Sequence, residues 1–227
     1  MNLTNAKTFE LVDENRRRMM RLMAMGAIFG SHAGAYADEL VRTPAQTEGP
    51  FYPDKLPLDT DNDLLIINSS IHPSAGEVAW VSGTILDSKG QPLRNALVEI
   101  WQADANGAYL HSGSDNGTKR DRHFQGYGRF LTGSNGAYGF RTIKPVVYPG
   151  RSPHIHYKIS QGGRHLLTTQ CYVKGHPGNA QDMVLKGLKD MKQLESIMVD
   201  FKPVEGSKIG EVAGRFDVVL GFTPKDA

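Results

Sequence analysis

The histidine pair His154-Ile-His156 carries the most direct chemical meaning in this chain. Successive side chains alternate between the faces of a β-strand, so both imidazoles can reach one ion while Ile155 faces the opposite side. Imidazole suits zinc, copper, nickel and iron alike, and the pair alone does not name the metal. Two tyrosines narrow the choice: Tyr109, at the end of Trp101-Gln-Ala-Asp-Ala-Asn-Gly-Ala-Tyr109, and Tyr148, which opens Tyr148-Pro-Gly-Arg-Ser-Pro-His154. Phenolate is a hard anionic donor. Free tyrosine ionises near pH 10, and only a strongly Lewis-acidic ion would keep two of them ionised near neutrality. The donor set therefore points to ferric iron. No tyrosine is specific by itself, since the chain has 8 and most serve as packing residues with one polar end.

The elements that must position these groups read as short strands separated by glycine-rich turns. Val78–Asp87 and Ala96–Ala103 alternate apolar and polar residues around Ser88-Lys-Gly-Gln-Pro92, a hairpin signal. Gly128–Thr132 and Tyr138–Ile143 flank Gly133-Ser-Asn-Gly136 in the same manner. His154–Ser160 and Arg164–Val173 pair around Gln161-Gly-Gly163, and Arg215–Phe222 closes the series. The pattern predicts an all-β fold, a β-sandwich core of mixed and antiparallel strands with long loops. One helix is predicted in the C-terminal half, from Asn179 to Val199, with Val184, Leu188, Met191, Leu194 and Met198 as its packing stripe.

The segments in their order resemble the intradiol ring-cleaving dioxygenases of the protocatechuate 3,4-dioxygenase type. The resemblance begins at Thr43-Pro-Ala-Gln-Thr-Glu-Gly-Pro-Phe-Tyr52. It continues through Val81-Ser-Gly-Thr-Ile-Leu-Asp87, Leu97-Val-Glu-Ile-Trp-Gln-Ala-Asp104, Phe124-Gln-Gly-Tyr-Gly-Arg-Phe130 and Tyr138-Gly-Phe-Arg-Thr-Ile-Lys-Pro145. It ends with the His-x-His strand and Leu166-Leu-Thr-Thr-Gln-Cys-Tyr172. It implies that Tyr109, Tyr148, His154 and His156 bind Fe(III), with Tyr148 and His156 axial and a solvent hydroxide completing the shell. Tyr148 is then the ligand that leaves when an aromatic ortho-diol binds, and it helps to accept the diol protons. Arg151 matches an arginine beside the bound ring, and Gln170 a polar residue of the same pocket. The implied reaction uses O2 to cleave the ring between its hydroxylated carbons, giving a cis,cis-muconate. The same resemblance implies an oligomer, either of this chain alone or with a related subunit. The chain lacks the long helical N-terminal region of the catechol type, and its connection from Tyr148 to His154 is short, so the substituents of the diol stay open.

Composition fits a single enzyme domain. The chain has 227 residues, 39% of them apolar and 22% charged, enough for a full core. Of 26 Lys/Arg and 24 Asp/Glu, five and three fall in residues 1–37, which leaves 21 of each sign in the remainder. A neutral body argues against a nucleic-acid surface. The one cysteine, Cys171, excludes an internal disulfide, and strand alternation turns it away from Gln170. Residues 1–37 read as an export signal, with residues 38–227 as the dioxygenase-like domain. Arg16-Arg-Arg-Met-Met20 resembles a twin-arginine start, the 14 uncharged residues Leu22–Ala35 are too few to span a membrane, and Ala35-Tyr-Ala37 supplies small residues for cleavage. The expected location is the periplasm, or the cytoplasm if this arm instead serves subunit contacts.

Two other readings share parts of the pattern. Val81-Ser-Gly-Thr-Ile-Leu-Asp with Leu93-Arg-Asn-Ala-Leu-Val-Glu also resembles transthyretin-like sandwiches, which are often binding modules and do not need the Tyr/His quartet. A cupin-like divalent-metal enzyme would use His154 and His156 together with a further Glu and His.

Overall fold

The computed structural model describes residues 40–67 and 74–224, so the export reading of residues 1–37 lies outside the described residues. Among the described residues ten strands carry the fold: β1 (Val78–Leu86), β2 (Ala96–Trp101), β3 (Tyr127–Leu131), β4 (Ala137–Ile143), β5 (His154–Gln161), β6 (Arg164–Val173), β7 (Met198–Val199), β8 (Lys202–Pro203), β9 (Val212–Arg215) and β10 (Val218–Val219). Two short helices, α1 (Met183–Lys186) and α2 (Met191–Ser196), lie between β6 and β7.

The strands form two five-stranded sheets. In the first, β1 is flanked by antiparallel β4 on one side and by parallel β9 and β10 on the other, with β8 outside β9. The second runs β3-β2-β5-β6-β7. Val81 and Ile85 of β1 and Phe140 of β4 join Val98, Ile100, Ile155, Tyr157 and Ile159 of the second sheet in one buried core. Removing each such side chain from water contributes about 1.5–3 kcal/mol, which holds the two inner faces together. Among the described residues no helix is long and apolar enough to cross a membrane.

The sandwich of mixed strands is the expected one, but two turns do a different job. β1 and β2 are not a hairpin, because β1 pairs with β4 and β2 with β3 and β5. The chain does begin to fold back, with Leu93 N donating to Ile85 O at 2.8 Å and a bridge between Leu86 and Pro92. Asn95, at φ 56°, then turns it into the other sheet. The link from β3 to β4 likewise crosses between sheets. Only β5 and β6 form the predicted hairpin, around Gly162 and Gly163.

The predicted long helix is also replaced. Asp182 and Asp190 each accept from two N–H groups of a first helical turn and so start separate short helices, with Gly187, Leu188 and Lys189 between them. Leu185, Ile197 and Val199 supply the buried contacts, while Met191 of the expected stripe stands 72% exposed. The closing strand is interrupted as well. Between β9 and β10, Phe216 N donates to Ser82 O and the Asp217 carboxylate accepts from Thr84 N, both at 2.8 Å.

Gly83 shows how closely this edge is packed. A Cβ built there would lie 1.8 Å from Phe216 O and 2.9 Å from the Tyr138 hydroxyl, which itself donates to Phe216 O. Backbone on a paired strand cannot retreat that far. Gly83→Ala should therefore destabilise the fold by at least about 2 kcal/mol, the upper range for overpacking. Chemical denaturation checks this, and an unchanged midpoint would show that the edge gives way.

Candidate metal centre

The site lies on the outer face of the second sheet, the face away from the main core. Cross-strand register sets Trp101 opposite His156, His156 opposite Gln170, and His154 opposite Tyr172. The alternate residues Ile155, Tyr157 and Cys171 point into the main core, as strand alternation predicts. Two loops complete the site. Tyr109 comes from the connection after β2, and Tyr148 and Arg151 come from the connection before β5. That second loop turns at Tyr148-Pro-Gly-Arg151, with Arg151 N donating to Tyr148 O at 3.0 Å and Gly150 at φ +78°. Proline followed by glycine is the pairing that a turn with a left-handed third residue requires. It sets the Tyr148 hydroxyl and the Arg151 guanidinium side by side, 3.3 Å apart.

The four donor residues converge. Tyr109 Oη donates to His154 Nε2 at 3.3 Å, His154 Nε2 is 3.0 Å from His156 Nε2, and the Tyr109 and Tyr148 rings meet edge-on at 5.2 Å. His154 Nδ1 lies 2.6 Å from the Ser152 carbonyl oxygen. A carbonyl only accepts, so Nδ1 carries the proton and Nε2 presents its lone pair to the other donors, the orientation that metal-bound histidines usually receive. His156 is fixed differently, by stacking on Trp101 at 4.8 Å and 9°. Phe51 stacks on Tyr109 at 5.2 Å and closes that side.

Burial governs the titration of the quartet. It holds His154 down to about 3, with the nearby Arg151 charge acting in the same direction. His156 is held well below the usual histidine range by burial, then by His154 and Arg151. Both rings are therefore neutral, as ligands must be. Burial and the adjacent Tyr148 push Tyr109 well up. Tyr148 is also raised by burial, against the opposing charge of Arg151. The protein alone thus keeps both phenols protonated.

These residues fit an ion of high Lewis acidity. The Nε2 atoms of His154 and His156, 3.0 Å apart and both facing the phenols, are close enough to share one ion. Such an ion supplies the positive charge that two buried phenols need before they can lose their protons. Among the described residues no group of three or more His, Cys, Asp or Glu could hold a metal, and the additional Glu and His of a cupin-like centre are not beside the pair.

Arg151 lies beside the Tyr148 hydroxyl, and Gln170 meets the same guanidinium. Arg151 Nη2 donates to Gln170 Oε1 at 2.7 Å and to Tyr172 Oη at 3.0 Å, while Gln170 Nε2 donates to Thr47 O at 2.9 Å. The sequence reading did not single out Trp101, Phe51, Tyr172 or Asp182. Trp101 had no signal beyond its place on a predicted strand, because only the pairing of β2 with β5 in this register puts it against His156. Asp182 had none, since it reaches the site only through the crossing of the 174–190 segment.

Comparisons with known proteins place the chain in a family. The family model described as "Dioxygenase" matches residues 47–221. The protocatechuate 3,4-dioxygenase beta chain of Burkholderia cepacia is 37% identical over 156 residues, 64% of this chain and 65% of that one. The hydroxyquinol 1,2-dioxygenase of Nocardioides simplex is 31% identical over 208 residues, 78% of this chain and 64% of that protein. Among solved structures, the dioxygenase domain of a dioxygenase carbohydrate-binding protein fusion from Streptomyces sp. SirexAA-E superposes with a TM-score of 0.61 at 32% identity, covering 81% of this chain and all of that domain. Catechol 1,2-dioxygenase from Acinetobacter sp. ADP1 superposes with a TM-score of 0.60 at 28% identity, over 92% of this chain and 72% of that one. The chain belongs to the intradiol ring-cleaving dioxygenase family. It spans 64–65% of the length of the two curated relatives just described.

Proposed function

We propose that this protein is a non-haem Fe(III) dioxygenase that cleaves an aromatic ortho-diol between its two hydroxylated carbons, with O2, to a cis,cis-muconate-type product. The observation that carries this reading is the convergence of two phenols and two neutral imidazoles, with a guanidinium 3.3 Å from one phenol. Ferric iron held by Tyr109, Tyr148, His154 and His156 would draw electron density from a bound catecholate and make its ring reactive toward dioxygen.

The residues divide the remaining work. Tyr109, 1% exposed and covered by Phe51, is the permanent phenolate donor. Tyr148 is only half-buried and would be the donor able to give up its place to substrate. Its Oη accepts a proton from the incoming diol. Nη1 of Arg151 faces that oxygen and then faces the anionic ring, where a fixed cation in a water-poor pocket stabilises developing negative charge. Gln170 and Tyr172 hold Nη2 of the same guanidinium. Phe51 and Trp101 pack around the three buried donors, Tyr109, His154 and His156, and shield them from bulk water.

The test combines metal analysis with a panel of catechols. Purified protein should contain about one iron per chain and be red to purple from tyrosinate-to-iron charge transfer. Oxygen uptake should accompany a muconate-type product with at least one diol. A protein that stays colourless after reconstitution, or a yellow semialdehyde from cleavage outside the diol, would sink the assignment. In the first case, a chain without iron, a transthyretin-like binding module would be the better account.

A further inference from the structure

Arg151 is held by a residue outside the strands that carry the site. Asp182, whose side chain has no exposure, stands immediately before α1 and divides its two oxygens. Oδ1 accepts from Val184 N at 2.9 Å and from Leu185 N at 3.2 Å, the usual bonds of a helix cap. Oδ2 accepts from Arg151 Nε and from Ser152 N, both at 2.9 Å. The carboxylate thus joins the start of α1 to the loop that supplies Tyr148, Arg151 and the carbonyl orienting His154.

We infer that Asp182 is the positioning residue that sets the plane of the Arg151 guanidinium for ring cleavage. This rests on the reading of Arg151 as the cation beside the bound diol. An unheld arginine turns about several bonds and carries its head toward water, and Arg151 keeps 15% exposure through which to do so. Gln170 and Tyr172 grip one nitrogen, Nη2, about which the guanidinium can still pivot. The bond at Nε fixes a second point, and two fixed points leave Nη1 directed at Tyr148 Oη. Burial by itself would raise the Asp182 pKa, but Ser152 N–H and the Arg151 guanidinium hold it below the usual carboxylate range, so the clamp is charged.

Asp182→Ser separates the two tasks of this carboxylate. A serine oxygen still caps α1 but is too short to reach Arg151. The holoenzyme variant should keep the iron content and colour of the parent and lose about tenfold or more in kcat, the scale expected when a reacting group is displaced by about 1 Å. In an Arg151→Ala background the same change should cost less than about a further twofold, because residues acting through one another are not additive. A crystal structure of Asp182→Ser should show Nη1 turned away from Tyr148 Oη while Nη2 keeps its bonds to Gln170 and Tyr172. Should that variant fail to fold, Asp182→Asn, of nearly equal volume, takes its place in the cycle. Parental kcat in the Asp182 variant while Arg151→Ala is impaired, or equal losses in both backgrounds, would overturn the inference alone. Parental kcat in Arg151→Ala would overturn the role of Arg151 and this inference with it.

Discussion

His154→Ala and His156→Ala should each yield a folded protein that retains less than about a tenth of the parental iron and consumes no oxygen with any diol. Each ring is nearly fully buried and placed by a different support, His154 by the Ser152 carbonyl and His156 by the face of Trp101. Even loss of such outer supports typically lowers metal affinity 10–100-fold, and loss of the donor itself costs at least as much. The fold should survive because the outer face of β5 carries these rings while its inner face carries Ile155 and Tyr157 in the main core. Ile155→Ala supplies the reciprocal result between the same two positions. It should cost about 2–5 kcal/mol in stability as a core cavity and leave the donors in place. Metal content per chain and thermal melts of all three variants test the division. Full iron in either histidine variant would remove that ring from the ligand set.

The placement of the histidine pair and of the Tyr148–Arg151 turn was legible in the sequence because it depends on local rules. His-x-His on a strand shares a face whatever the sheet does next, and Tyr-Pro-Gly-Arg is a turn whose ends lie together. The resemblance supplied Tyr109 and Gln170, which local spacing does not tie to the pair. Trp101, Tyr172 and Asp182 became visible only through register and crossing. Trp101 needs β2 beside β5, Tyr172 needs β6 opposite His154, and Asp182 needs α1 brought over the Tyr148–His154 loop. None of these contacts follows from periodicity.

The fold was legible to a different depth. Alternation identified the strands around β1 to β6 because it records which side chains meet the core, and a strand meets the core in the same way from either sheet. It does not record whether the following strand lies beside or across. Hence the turns at Ser88–Pro92 and Gly133–Gly136, rich in hairpin residues, join strands of opposite sheets. The helix failed for another reason. Apolar residues at helical spacing between Val184 and Met198 were outweighed by two aspartates, each of which offers backbone N–H groups a fresh start.

Tyr148→Phe should keep iron, coordinated by Tyr109, His154 and His156, and yet slow turnover by about two to three orders of magnitude. Tyr109 is almost fully buried under Phe51, whereas Tyr148 is half-buried on a turn and has its oxygen beside Nη1 of Arg151. Phenylalanine preserves the ring and removes only that oxygen. The variant therefore loses the atom that takes a proton from the diol, a contribution of about 10²–10⁴ for a positioned general base. Arg151→Ala should also hold iron normally and lose about 10²-fold in kcat, because its charge faces the reacting substrate while the resting centre is built without it. Iron content separates these two variants from the histidine variants, and the charge-transfer band separates them from each other. The band should change in Tyr148→Phe, which lacks one phenolate, and persist in Arg151→Ala. A Tyr148→Phe protein with parental turnover would show that the diol loses its protons elsewhere. If the same protein had lost its iron, Tyr148 would be a permanent ligand and could not be the one that substrate displaces.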